Sequence, residues 1–238
     1  MVPLTMVTHL LGIGAAVMVL VWCIHFRGGL AFEATNKSLI FNIHPVLTLI
    51  GVIILGGEAI ISHKSVPFSK GLKKLIHLTL HAIALIFGII GTYAAFKYHH
   101  ECSAPNLFSL HSWMGIGVIF LYAIQWIYGF VVFCYPAISA GIRAQSLPPH
   151  VLFGLFVYIL AVATALLGFL EKLTFLENSD VPQYGPEAYL VNFTAVVTIL
   201  FGVSIVLTAI SPPPRTVAVA VAEDPGKSDI EIFGISDK

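Results

Sequence analysis

Six runs of about twenty or more predominantly apolar residues constrain this chain more than any other feature. They are 6–25, 39–61, 72–96, 107–134, 150–170 and 188–210. A helix needs about 20 such residues to cross roughly 30 Å of hydrocarbon. Each run therefore predicts one membrane-spanning helix, the fourth either tilted or starting nearer Leu110. Only 10% of the 238 residues are charged, against about 25% in a soluble domain. That excludes a soluble enzyme, a disordered chain and a nucleic-acid partner. The fold class expected is an all-α, six-helix bundle with lipid as its main solvent.

No basic residue precedes the first apolar run and no small-residue cleavage site follows it, so it reads as a retained helix, not a signal peptide. Residues 1–210 make one transmembrane domain. Residues 211–238 open with Ser211-Pro212-Pro213-Pro214, which cannot continue a helix, and read as a disordered tail. Six crossings put both ends on one side. Lys64, Lys70, Lys73, Lys74, Arg143 and Arg215 fall on that side, against Arg27, Lys37, Lys97 and Lys172 in loops on the other. The positive-inside rule then places both termini in the cytoplasm. Glu177, Asp180 and Glu187 fall in the outer fifth loop. Cys23, Cys102 and Cys134 form no Cys-x-x-Cys or c-type haem motif, and the Gly28-Gly29 pair reads as a turn.

Ten histidines stand beside only 12 Lys and Arg. His44 and His111 fall a few residues into helices 2 and 4 from the outer side. His77 lies a few residues into helix 3 from the cytoplasm, and His150 opens helix 5 there. Ionisable residues inside a span are costly and usually functional. These four sort into two pairs, one per leaflet, each from two helices. Two neutral imidazoles on facing helices suit a b-type haem with two axial histidines. The haems would lie between helices 2–5, about 15 Å apart along the membrane normal if each crossing has about 20 residues.

His77 and His81 share one helical face, so only one of them serves such a haem. His77 is assigned and His81 is the alternative. His99 and His100 end helix 3 beside Tyr98, either as a wet helix terminus or as a contact to an electron partner. His63 reads as loop surface, and His9 and His25 as interfacial. Glu58 is the only acidic residue well inside a span and reads as an interface group. Lys70, Lys74 and His77 share a face if helix 3 begins early enough. With Arg143, the two lysines would form a cationic mouth for an anionic reductant.

The stretches Phe26-Arg27-Gly28-Gly29-Leu30, Asn42-Ile43-His44-Pro45, Lys70 to His81, Ser109-Leu110-His111-Ser112-Trp113, Pro149-His150-Val151 and Ala165-Leu166-Leu167-Gly168 with Glu171 resemble the cytochrome b-561 family, in a plant-like form. The resemblance implies two haem b groups, with His44 and His111 holding the outer and His77 and His150 the inner. It implies that Lys70, Lys74 and Arg143 surround cytoplasmic ascorbate, and that Tyr98, His99 and Phe108 face an outer substrate. Asn106, Leu107, Phe108, Ser109, Lys64 and Glu171 would adjoin the haems. Phe108 replaces a frequent tyrosine, and Lys64 would substitute for an arginine found in animal relatives where His63 stands. The activity implied is transfer of single electrons from ascorbate to monodehydroascorbate or a ferric chelate across a vacuolar, endosomal or plasma membrane, by a homodimer. A histidine-based metal-ion transporter and a haem-bearing anchor subunit of a larger redox complex are the alternatives.

Overall fold

The computed structural model describes residues 4–212. Six helices are long and apolar enough to cross a membrane. We number them α1 (Leu4–Phe26), α2 (Ser38–Ser65), α3 (Lys70–Glu101), α4 (Leu110–Cys134), α5 (Ala140–Glu177) and α6 (Pro186–Ile210). No strand occurs among the described residues. Six crossings return the chain to the face on which it began, called here the terminal face; the opposite one is the distal face. The expected tail, 211–238, lies outside the described residues except for Ser211 and Pro212.

The most completely buried side chains lie on α1, α2 and α6. Val19, Ile40, Ile61, Phe201 and Ile205 are fully enclosed there. So are Thr8, Thr194 and Thr198, whose hydroxyls donate to carbonyls one turn back, which makes them tolerable inside an apolar bundle. Gly12 brings α1 against Phe201, where a Cβ would stand 3.0 Å from the ring. By contrast α3, α4 and α5 show wide apolar faces, as helices bathed by lipid must.

The start of α5 differs from the sequence reading. α5 begins at Ala140, capped by the Ser139 hydroxyl, so His150 lies eleven residues into the helix instead of opening it. Pro148 and Pro149 sit inside the helix; they deprive two carbonyls near its exposed start of partners, and water can satisfy those. α4 begins at Leu110, the later of the two starts the sequence allowed, leaving His111 at its second position. The Gly28-Gly29 turn is as expected. Both glycines have positive φ, 83° and 116°, and the Asn42 side chain donates to the carbonyls of Arg27 and Gly29 at 3.1 and 2.8 Å. That links the Arg-Gly-Gly and Asn-Ile-His-Pro motifs physically. Beyond Pro45, α2 loosens into a π-helical stretch over Thr48–Leu55. Gly51 lies within it, where α3 approaches so closely that a Cβ would sit 2.4 Å from that of Phe87.

Candidate functional site

Helices α2 to α5 enclose a cavity of about 480 Å³ that opens toward the distal face. Ser109 caps α4, and Ser112 returns the bond to the Ser109 N–H; this capping box aims His111 inward while Trp113, 64% exposed, faces out. His44 enters from α2. Its Nδ1–H donates to the Gly91 carbonyl at 3.0 Å, and that of His111 donates to the Thr164 carbonyl at 2.9 Å. A carbonyl only accepts, so each Nδ1 carries the proton and each Nε2 keeps its lone pair. The ring centroids are 5.9 Å apart. Gly168 makes room for His111, since a Cβ there would lie 2.7 Å from its Cε1.

The residues expected at this end are gathered here: Asn106, Leu107, Phe108, Ser109, Glu171, Tyr98 and His99 all line the cavity. Leu107 adopts a left-handed φ of 53°, a strained choice for leucine, in the loop that covers the cavity mouth. His99 Nδ1–H donates to the Asn106 side-chain carbonyl at 3.1 Å, which fixes that loop to the end of α3.

A second imidazole cluster lies toward the terminal face. His77 Nδ1–H donates to the Ala59 carbonyl at 2.8 Å, and the His77 and His150 ring centroids are 6.4 Å apart. Gly129 gives His150 its space, a Cβ there lying 3.1 Å from Cε1. The Gln125 amide nitrogen lies 3.0 Å from His150 Nδ1 and donates to the His150 carbonyl at 2.7 Å. His81, left between two roles by the sequence, has its Nδ1 2.5 Å from the Tyr122 hydroxyl, and its ring centroid lies 4.4 Å from that of His77. His63 is exposed, as expected, but sits in α2 and not in a loop, its ring 5.0 Å from that of His77.

Cations surround this end. α3 does begin at Lys70, capped by Ser69, so Lys70, Lys74 and His77 share a face. Lys74 donates to the Phe133 carbonyl at 3.0 Å and Arg143 to that of Tyr135 at 2.9 Å. Both thus gather at the electronegative C-terminus of α4. Arg143 Nε is buried and has no partner among the described residues. Phe133 packs on His150 with ring centroids 5.0 Å apart. Lys64 departs from expectation. Its ammonium donates to the Thr208, Ala209 and Ser211 carbonyls at 2.9, 2.7 and 2.5 Å, because the unpaired carbonyls at the end of α6 need a donor more than a remote cavity does.

Other partners were not legible in sequence. Glu187 is not in a loop but is the second residue of α6, 7% exposed, gripped by both arms of Arg27 and by the Trp22 indole N–H at 2.9 Å. Glu58 pairs with His9 at 2.8 Å. Lys172, expected in a loop, lies within α5 on the cavity wall.

Two imidazoles bound to one metal ion by bonds of about 2.0 Å, each ring centre about 1.2 Å further out, stand roughly 6 Å apart. Both pairs meet that spacing, and the glycine-backed cavity gives a flat macrocycle room at the distal pair. The residues present fit a haem. His77 and Gly91, whose carbonyl holds His44, are fourteen residues apart on α3, about 21 Å along the axis.

This arrangement defines a multi-pass membrane redox protein. Residues 43–176 match the family described as eukaryotic cytochrome b561, and the chain belongs to that family, whose cofactor is haem b. It is 65% identical to the probable ascorbate-specific transmembrane electron transporter 1 of Oryza sativa subsp. japonica over 88% of this chain and 90% of that protein. It is also 65% identical to the transmembrane ascorbate ferrireductase 1 of Arabidopsis thaliana over 86% of each. The plasma membrane ascorbate-dependent reductase CYBRD1 of Xenopus laevis is 39% identical over 85% of this chain and 72% of its own length.

Proposed function

We propose that this protein carries single electrons across a membrane, from ascorbate at the terminal face to an acceptor at the distal face. One observation carries the reading: facing imidazole pairs stand at opposite ends of the same four helices, and at the terminal one Lys74 and Arg143 gather without a carboxylate partner among the described residues. Relatives named for ascorbate-dependent electron transport support it. When bound, haem b supplies the one-electron couple that no side chain here provides.

The chain's own residues do the rest. His44 with His111, and His77 with His150, are the proposed axial ligands, giving two haems. The carbonyls of Gly91, Thr164 and Ala59 hold three of these rings in the tautomer that offers Nε2. Lys70, Lys74 and Arg143 draw in the ascorbate monoanion, and the unsatisfied Arg143 Nε has a hydrogen bond to give. The apolar walls of the distal cavity keep the surroundings of His44 and His111 dry, while Tyr98, His99 and Phe108 form the rim where an acceptor docks.

With the terminal face in the cytoplasm, the acceptor is monodehydroascorbate or a ferric chelate on the far side of a vacuolar, endosomal or plasma membrane, and the working unit is a homodimer. The test is the visible spectrum of purified protein before and after ascorbate. Two low-spin b-type haems reduced by ascorbate alone are expected. Absence of haem bands would point to a metal-ion transporter, and bands that ascorbate barely reduces to an anchor subunit.

A further inference from the structure

The cations of the distal half are matched, with one exception. Arg27 holds Glu187, Lys37 pairs with Glu101 at 2.6 Å, and Lys97 pairs with Glu33 at 2.5 Å and Glu101 at 3.0 Å. Lys172 has no carboxylate and no hydrogen-bond acceptor among the described residues. Its ammonium instead lies 4.3 Å from the centre of the Phe41 ring, and both residues line the cavity that contains His44 and His111. Glu171, its neighbour in sequence, lines the same cavity but does not reach the ammonium.

A half-buried ammonium beside an apolar cavity is costly without a counter-charge. A phenyl face offsets only part of that cost. The carboxylate best placed to serve as counter-charge, Glu187, is already held by a bidentate guanidinium and an indole. An anion from outside the protein would supply the missing charge. We propose that Lys172 binds an anionic oxygen, a carboxylate or an enolate, of a molecule held in the distal cavity. This rests on the reading of that cavity as a haem and acceptor site.

Two molecules could bring that oxygen: a propionate of the haem itself, or an anionic acceptor arriving at the distal face. Both leave Phe41 as a platform under the ammonium, and they differ in what Lys172→Met changes. Purified holoprotein carrying Lys172→Met or Lys172→Arg would be compared with the wild type in two measurements. The first is haem content with potentiometric titration and low-temperature EPR in the absence of any substrate. The second is reoxidation of the reduced protein by ferric citrate, an anion, against a neutral oxidant.

For a propionate, Lys172→Met lowers one of the two midpoint potentials and shifts one EPR signal, Lys172→Arg restores both, and the preference for ferric citrate over the neutral oxidant is unchanged. For an acceptor, potentials and EPR signals stay put, while the half-saturating concentration of ferric citrate rises by about tenfold, as loss of one charge-assisted hydrogen bond implies, and that of the neutral oxidant does not. If Lys172→Met loses a haem, retention of that haem in Lys172→Arg supports the propionate, and loss in both variants overturns the proposal. Unchanged potentials, spectra and oxidant preference also overturn it, leaving the cation as a packing partner of Phe41. Failure of the broader reading is separable: wild-type protein would then hold no haem that His111→Ala removes.

Discussion

His81 and Tyr122 share a 2.5 Å hydrogen bond one helical turn deeper than His77, in the wall that separates the two imidazole clusters. Tyr122 is 7% exposed, and Gly56 yields the space its hydroxyl occupies, a Cβ there lying 3.1 Å away. The bond uses His81 Nδ1 and leaves its ring edge-on to that of His77. Tyr122→Phe should keep both haems while altering the potential or EPR signal of one. His81→Leu should likewise keep two haems. Pigment analysis of His81→Leu beside His77→Leu decides between the two histidines, and a haem lost only from His81→Leu would reverse the assignment.

Substituting His44 or His111 should remove one haem and leave the other, and substituting His77 or His150 should remove the second. Haem-to-protein ratios of the four variants check this. Two intact low-spin haems in any of them would refute that ligand.

Gly168→Ala offers a sharper version without touching a ligand. The new methyl would fall 2.7 Å from His111 Cε1, closer than side chains tolerate, so the ring must move off the Thr164 carbonyl. The expected outcome is partial or complete loss of one haem, with the other spectrally normal. A variant with both haems unchanged would mean that α5 shifts at no cost to the site.

At the terminal mouth, Lys74→Ala with Arg143→Ala should slow reduction by ascorbate about tenfold or more at low ionic strength. The wild-type rate should fall with added salt, since screening shortens to roughly 8 Å at 0.15 M. Stopped-flow reduction by ascorbate and by a neutral donor across a salt series makes the comparison. Equal losses with both donors would assign these cations to folding instead.

Arg27→Ala leaves the Glu187 carboxylate buried without its guanidinium, a loss of about 3–5 kcal/mol where a buried pair is broken from one side. Glu187→Gln should be milder, because the Trp22 indole keeps an acceptor. Thermal unfolding in detergent, followed by haem absorbance, should rank them in that order.

The six helices were legible because lipid imposes one requirement, length of apolar chain, that periodicity does not blur. The four proposed ligand positions were legible because histidine is conspicuous in such runs. What escaped was partnership. Tyr122 and Gln125 look like ordinary residues of an apolar helix until His81 and His150 are placed beside them. Glu187 looked like a loop residue because its partner Arg27 is 160 positions away. Lys172 fell outside the span because hydropathy falls before α5 ends, and His150 was set at a helix start because two prolines precede it. Lys64 looked like a haem neighbour only by analogy, as the carbonyls it caps lie 144 and more residues onward.

α5 carries residues from both ends of the proposed route: Arg143 at the terminal mouth, His150, Thr164 and Gly168 behind His111, then Lys172 on the distal wall. Twenty-nine residues of one helix separate the first from the last, about 44 Å. Such a rod acts as a gauge. Loops elsewhere can lengthen freely, but one residue added to α5 between His150 and Thr164 would swing the whole distal half by about 100° and advance it 1.5 Å. On the proposed route, the spacing between His150 and the residues that back His111 is therefore written into the residue count of a single helix.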